Sequence, residues 1–149
     1  MSPNYPYIKT LVIFPLLAQL IGTIISICVD DNTDSLLGTA DVILFSLLST
    51  FIVATVPAFL IALWTKIYRY TRYNMMAIVL ISLIIAFCYG NVASFIYMTF
   101  SQPNMTFSQP NMTFGIWLRS GGIDMAFLLS FGMALYSVLV LPLLLPQTR

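Results

Sequence analysis

No histidine and no glutamate occur anywhere in this chain, and charged residues of all kinds make up only 7% of its 149 positions. Without histidine there is no imidazole for general acid/base work near neutral pH, for haem ligation, or for zinc and copper binding. Without glutamate, a calcium loop of the helix-loop-helix kind has no distal bidentate ligand. Only two cysteines are present, Cys28 and Cys88, far apart and with no CxxC spacing, so thiol redox chemistry and metal clusters lose their usual support. Each cysteine falls in or beside an apolar block and is expected to be a buried, inert thiol. Net charge is +1, which argues for neither a nucleic acid nor an acidic substrate. No cofactor or metal is expected.

What is abundant is apolar side chain, at 60% of the sequence. A soluble domain carries about 25% charged residues and could not bury so much greasy surface. The apolar residues come in four blocks of about 20 residues, the length that crosses a hydrocarbon core about 30 Å thick. They run over residues 8–29, 42–64, 75–98 and 125–145. The fold class expected is therefore an all-α membrane protein, a single domain of four transmembrane helices in an antiparallel bundle.

Orientation follows from the basic residues, which are retained on the cytoplasmic side when they lie in short loops. Lys9, Lys66, Arg69, Arg72 and Arg149 all fall on one side of such a bundle. Both termini are thus placed in the cytoplasm. Asp30, Asp31, Asp34 and Asp41 gather on the opposite side, with Arg119 and Asp124. Trp64, Tyr68, Tyr70 and Tyr73 suit the inner interface, and Tyr97, Phe100 and Trp117 the outer one. The first block could be mistaken for a cleaved lipoprotein signal ending at Cys28. Bulky Ile27 stands where processing needs a small residue, so the segment is read as a retained span.

Helices in lipid associate through close packing of small residues and through hydrogen bonds. Small residues recur every fourth position in three blocks: Ala18, Gly22 and Ser26; Ser46, Thr50, Ala54, Ala58 and Ala62; Ser82, Ala86, Gly90 and Ser94. Such strips serve as packing seams or, on a second reading, as the lining of a conduit through Ser46, Thr50, Gly90 and Asn91. Gln19 and Asn91 are the strongest polar residues inside the blocks and are expected to hydrogen-bond between helices. Pro57 removes one backbone donor in the middle of the second span and should kink it.

Searching for chemistry yields little. No Asp, Glu, Lys, Arg or His occupies the middle of a span, which weighs against a proton-coupled pump. Asp41 and Asp124 could meet as the pair of a membrane aspartyl hydrolase, but their flanks GTADVI and GGIDMAF offer nothing to position them. Asp124 is better read as a partner of Arg119 or a cap of the fourth helix. DDNTD is a solvated outer loop. In KIYRYTRYN cations alternate with tyrosines, a pattern that can bind single-stranded nucleic acid. At the edge of two spans, however, Lys66, Arg69 and Arg72 serve anionic lipid headgroups instead.

The stretch 99–122 between the last two spans holds the heptapeptide TFSQPNM twice over. Pro103 and Pro110 exclude a continuous helix there. Each copy contains Asn-Met-Thr, at Asn104 and Asn111, an N-glycosylation acceptor only in a eukaryotic secretory setting. A loop that absorbs a tandem copy is a tolerant one.

The sequence thus leads to a small multi-pass membrane protein without enzymatic activity. Its place is the bacterial inner membrane, and it acts by protein-protein contact within the bilayer. An accessory subunit or an immunity-type protein facing a pore-forming toxin fits that description. The rival readings are a channel or carrier for a small neutral or apolar substrate and, more remotely, the aspartyl hydrolase. Oligomeric state is left open.

Overall fold

A computed structural model describes residues 9–29, 39–100, 114–119 and 121–145. The stretches outside them hold Asn104, Asn111, Asp30, Asp31, Asp34, Arg149 and most of the tandem heptapeptide. Among the described residues every regular element is helical and no strand occurs. The helices are α1 (Phe14–Val29), α2 (Thr39–Thr50), α3 (Val56–Ile67), α4 (Met75–Phe100), α5 (Phe114–Arg119) and α6 (Gly122–Leu144). Four stretches are long and apolar enough to cross a membrane: Lys9–Cys28, Asp41–Ile67, Arg72–Tyr97 and Gly122–Leu144.

Two of these spans contain a stretch of π-helix. A wide π turn, Lys9–Ile13, leads into α1, and a second, Phe51–Thr55, joins α2 to α3. In both cases a proline follows as the second residue of the next helix, Pro15 and Pro57. The physical link is the missing donor. At the second break Val56 N–H reaches back five residues to Phe51 O. In that register the donor due to Ile52 O is the N–H that Pro57 lacks. The orphaned carbonyl is satisfied from another helix, where Tyr89 Oη of α4 donates to Ile52 O at 2.6 Å.

The helices associate as two pairs. α1 packs along α2, the second π turn and α3, and α4 packs along α6 in the most extensive contact of the fold. Small residues explain the α4–α6 seam: Ser82 and Ala86 of α4 and Ala126, Ser130, Ala134 and Ser137 of α6 are all buried. A Cβ on Gly90 would sit 3.0 Å from Ala126 Cα, so only glycine permits this approach. The pairs meet through α3 on α4 and through the start of α1 on α6. There Phe14, fully buried, lies 4.7 Å from the ring of Tyr136, whose hydroxyl donates to Phe14 O at 2.5 Å.

The core is thin and built of alanine, serine and a few larger residues such as Phe14, Ile61, Ile78 and Leu141. Leucine, isoleucine and phenylalanine point outward, as Leu44, Phe45, Leu128, Phe131 and Leu143 do. That is the reverse of a soluble protein and suits helices whose surroundings are apolar.

Several sequence expectations are altered. The fourth span begins at Gly122 rather than Met125, and a short helix, α5, occupies part of the stretch expected to be loop. Cys28 and Cys88 are free but exposed, because each lies on the outward face of its helix and not on the small-residue strip. Trp117 is 2% exposed and is packed into the protein rather than presented on its surface. Its indole lies where a Cβ on Gly122 would be, 2.2 Å from Nε1, and Nε1 donates to Ser94 Oγ at 3.0 Å. Gly121, at φ 82°, is the N-cap of α6, which leaves Asp124 in the first turn and not at the cap.

Candidate functional site

The polar side chains of the spans fall into two separate seams. The first lies between α1 and α2 and centres on Gln19. Its Nε2 lies 3.0 Å from Leu47 O, 3.0 Å from Thr50 Oγ1 and 3.3 Å from Thr23 Oγ1, and its Oε1 accepts from Thr55 Oγ1. Gln19 therefore grips α2 on one side of the π turn and the end of that turn on the other. Thr23 Oγ1 and Thr50 Oγ1 are 3.0 Å apart, and one turn further along Ser26 Oγ donates to Ser46 Oγ at 3.3 Å. A Cβ on Gly22 would stand 3.4 Å from Ala54 Cβ and Thr50 Cγ2, an ordinary contact distance, so the approach of the helices here does not require glycine.

The second seam, between α4 and α6, is drier. Ser130 Oγ donates to Leu83 O at 3.1 Å, and Ser94 Oγ lies 3.4 Å from Gly122 O. The buried hydroxyls of Ser82 and Ser137 have no partner among the described residues. Among the described residues Asn91 makes no bond to another helix; its Nδ2 donates to Phe87 O of its own helix at 2.7 Å, one turn back. Outside this seam lies an open apolar groove of about 510 Å³, lined by Phe87, Asn91, Val92, Phe95, Trp117 and Ile123.

The conduit residues are thus not brought together. Ser46 and Thr50 belong to the first seam with Gln19 and Gly22, while Gly90 and Asn91 belong to the second. Pro57 is buried just beyond the π turn. Asp41 is on α2 and Asp124 on α6, so the two carboxylates sit on different helix pairs. Among the described residues no group of three potential metal ligands gathers.

The basic residues form a turn with its own logic. Tyr70 N–H bonds to Thr65 O at 3.0 Å and Arg69 N–H to Lys66 O at 3.2 Å, which is the Schellman ending of a helix. Such an ending needs a left-handed residue, normally glycine, and Arg69 fills it at φ 51°. Lys66 lies in the last turn of α3, where a cation favours the carbonyl end of the helix. Trp64, Tyr68 and Tyr70 stack beside it with ring centroids 4.9 and 5.9 Å apart. Arg72, expected at lipid headgroups, is engaged instead with the end of α6, where its Nε donates to Leu145 O at 2.9 Å.

Sequence reading missed three features. The fourth span carries its own strip, Gly122, Ala126, Ser130 and Ala134, at the same four-residue spacing used for the other three spans. The π turns were announced by Pro15 and Pro57, but the register of the break depends on neighbours. Tyr89 and Tyr136 looked like ordinary aromatic residues and act as donors to backbone carbonyls at the two breaks.

No solved structure matches this chain. A protein of Haemophilus influenzae described as "Uncharacterized protein" is 44% identical over 94 residues, which cover 62% of this chain and 77% of that protein. A family model with the same description, "Uncharacterized protein", matches residues 7–127, through the first three spans and into α6. The chain, with four helices long and apolar enough to cross a membrane, belongs to that family.

Proposed function

We propose that this chain is a non-enzymatic protein of the bacterial inner membrane, an antiparallel bundle with both termini in the cytoplasm, which acts by binding another membrane protein within the bilayer. An accessory subunit and an immunity-type protein set against a pore-forming toxin both belong to this reading. The observation that carries it is where the polar groups are spent. Gln19, Thr23, Thr50 and Thr55 bond to one another or to backbone, and Gly90 is filled against Ala126, so the seams are closed. What remains for a partner is the broad exposed apolar surface, on which Phe45, Leu128 and Phe131 stand out. The relative in Haemophilus influenzae supports a bacterial host. The basic residues at one end of the bundle support the orientation.

Photo-cross-linking side chains placed at Phe45, Leu48, Phe131 and Leu135 in native membranes test this. Discrete protein adducts from one helix face are expected, and adducts to lipid alone from every position would sink the proposal. A carrier for a small neutral substrate is the second reading, favoured by the π turn and Pro57 in the middle of a span. Cysteines substituted at Ser46, Thr50, Gly90 and Asn91 should then react with a polar thiol reagent. Uniform protection excludes it.

A further inference from the structure

We propose that the π turn Phe51–Thr55 is a hinge, about which α2 and the adjoining part of α1 swing relative to the α4–α6 pair, and that Tyr89 and Gln19 are the two clasps that hold it closed. Three observations converge on this joint. The backbone ladder is interrupted there, since Val56 N–H bonds five residues back and Pro57 donates nothing to Ile52 O. A helix with a missing bond has lost the element that resists bending, and π turns of this kind recur at functional positions.

The two sides of the joint are also packed differently. In α3 five residues are buried, Pro57, Ala58, Ile61, Ala62 and Thr65. Between Asp41 and Thr50, on α2, only Ser46 and Thr50 are buried, and both face α1. α2 is therefore tied chiefly to α1, whereas α3 is tied to α1 and α4. A rigid body ends where its packing ends, and here that point coincides with the break.

Finally, where the backbone bond to Ile52 O is missing, side chains supply the extra bonds that hold the joint. Tyr89 Oη holds the orphaned Ile52 O from the α4 side at 2.6 Å. Gln19 holds Leu47 O and Thr50 on one side and Thr55 on the other. Side-chain bonds of this kind each contribute about 1 kcal/mol or less between helices, so they can open where a backbone ladder cannot. A π turn followed by a proline, Pro15, also precedes α1, but there the neighbouring tyrosine, Tyr136, donates to Phe14 O and not to Thr10 O, the carbonyl in the position of Ile52. Phe14 is fully buried with its ring tilted against that of Tyr136, so the start of α1 is held fast.

The test measures distances between spin labels in the whole protein, in vesicles of phosphatidylethanolamine and phosphatidylglycerol, with Cys28 and Cys88 replaced by serine. One pair, Leu44→Cys with Leu128→Cys, spans the hinge, and a second, Leu80→Cys with Leu139→Cys, lies within the α4–α6 pair. Tyr89→Phe is expected to shift the first pair toward a second distance by about fivefold in population, the equivalent of about 1 kcal/mol, with the second pair unmoved. Adding Pro57→Ala, which restores an N–H, should return the first pair to one narrow distance. An unchanged first pair in Tyr89→Phe, or equal broadening of both pairs, overturns the proposal. Amide exchange of the unsubstituted protein provides an independent check: within the second span the fastest exchange should fall at residues 51–55, and protection there equal to that of α3 also overturns it.

Discussion

Adding a single methyl group at three glycines separates packing from helix propensity in this fold. At Gly90 a Cβ would stand 3.0 Å from Ala126 Cα and 3.3 Å from both Ala126 Cβ and Leu129 Cδ2. Carbon atoms pack best at about 3.5–4.0 Å, and the obstructing atom is backbone, so the α4–α6 seam must part by several tenths of an ångström. Every small residue along it then loses contact with its partner. Overpacking of this sort costs about 1–3 kcal/mol, and the gain of alanine over glycine in a helix returns up to about 1 kcal/mol. Gly90→Ala should therefore destabilise by about 1–2 kcal/mol, a change of roughly 5- to 30-fold in the folded-to-unfolded ratio. At Gly22 the same Cβ meets its neighbours at 3.4 Å, and at Gly132 it meets nothing within 4 Å. Those two substitutions should fall within about 0.5 kcal/mol of the parent or stabilise it. Unfolding in mixed micelles of rising dodecyl sulfate content, followed by far-ultraviolet circular dichroism, ranks the three. If Gly90→Ala proves as stable as Gly132→Ala, α4 and α6 are not in the contact described here.

Other expectations follow from single contacts. Gly122→Ala should expel Trp117 from its slot, because the added carbon would overlap the indole, and red-shift tryptophan emission in a Trp64→Phe background; an unshifted spectrum would place Trp117 elsewhere. Arg69→Gly should relieve the left-handed strain at the end of α3 and raise stability by about 1 kcal/mol, an increase that urea or dodecyl sulfate titration reads directly. Gln19→Leu should cost about 1–2 kcal/mol in the same titration, since several partners lose their bond at once, although single interhelical bonds average about 0.6 kcal/mol; a neutral result would mean that the α1–α2 seam is held by packing alone. Deletion of residues 106–112, one copy of the heptapeptide, should leave membrane insertion and thermal stability unchanged. Alkaline phosphatase fused within the repeat should be active and fused after Tyr70 inactive, and the reverse pattern would invert the proposed orientation.

Much of the architecture was legible because bilayer dimensions and backbone hydrogen bonding constrain a membrane chain so tightly. Four apolar blocks of the right length gave four helices long and apolar enough to cross a membrane, and three of the four small-residue strips that line the seams could be read at their four-residue spacing. The fourth strip was equally visible at Gly122, Ala126, Ser130 and Ala134. Partner choice was not legible. A strip of small residues says that some helix comes close without saying which: Ser46 and Thr50 face α1, Gly90 packs on Ala126 of α6, and Asn91 bonds within its own helix. Exposure of the cysteines and burial of Trp117 likewise depend on which face of a helix is covered.

By itself, then, the sequence determined the number of candidate spans, their extent to within a few residues, the absence of Asp, Glu, Lys, Arg and His from their middles, and the expected orientation. These follow from residue counts and from the distribution of Lys and Arg, which need no knowledge of neighbours. Only the tertiary structure decided that the spans form two pairs, that Pro57 throws its deficit onto Ile52 O, and that Tyr89 makes it good. An orphaned carbonyl is a local fact of one helix, but its donor comes from whichever helix lies alongside, and that is set by long-range packing.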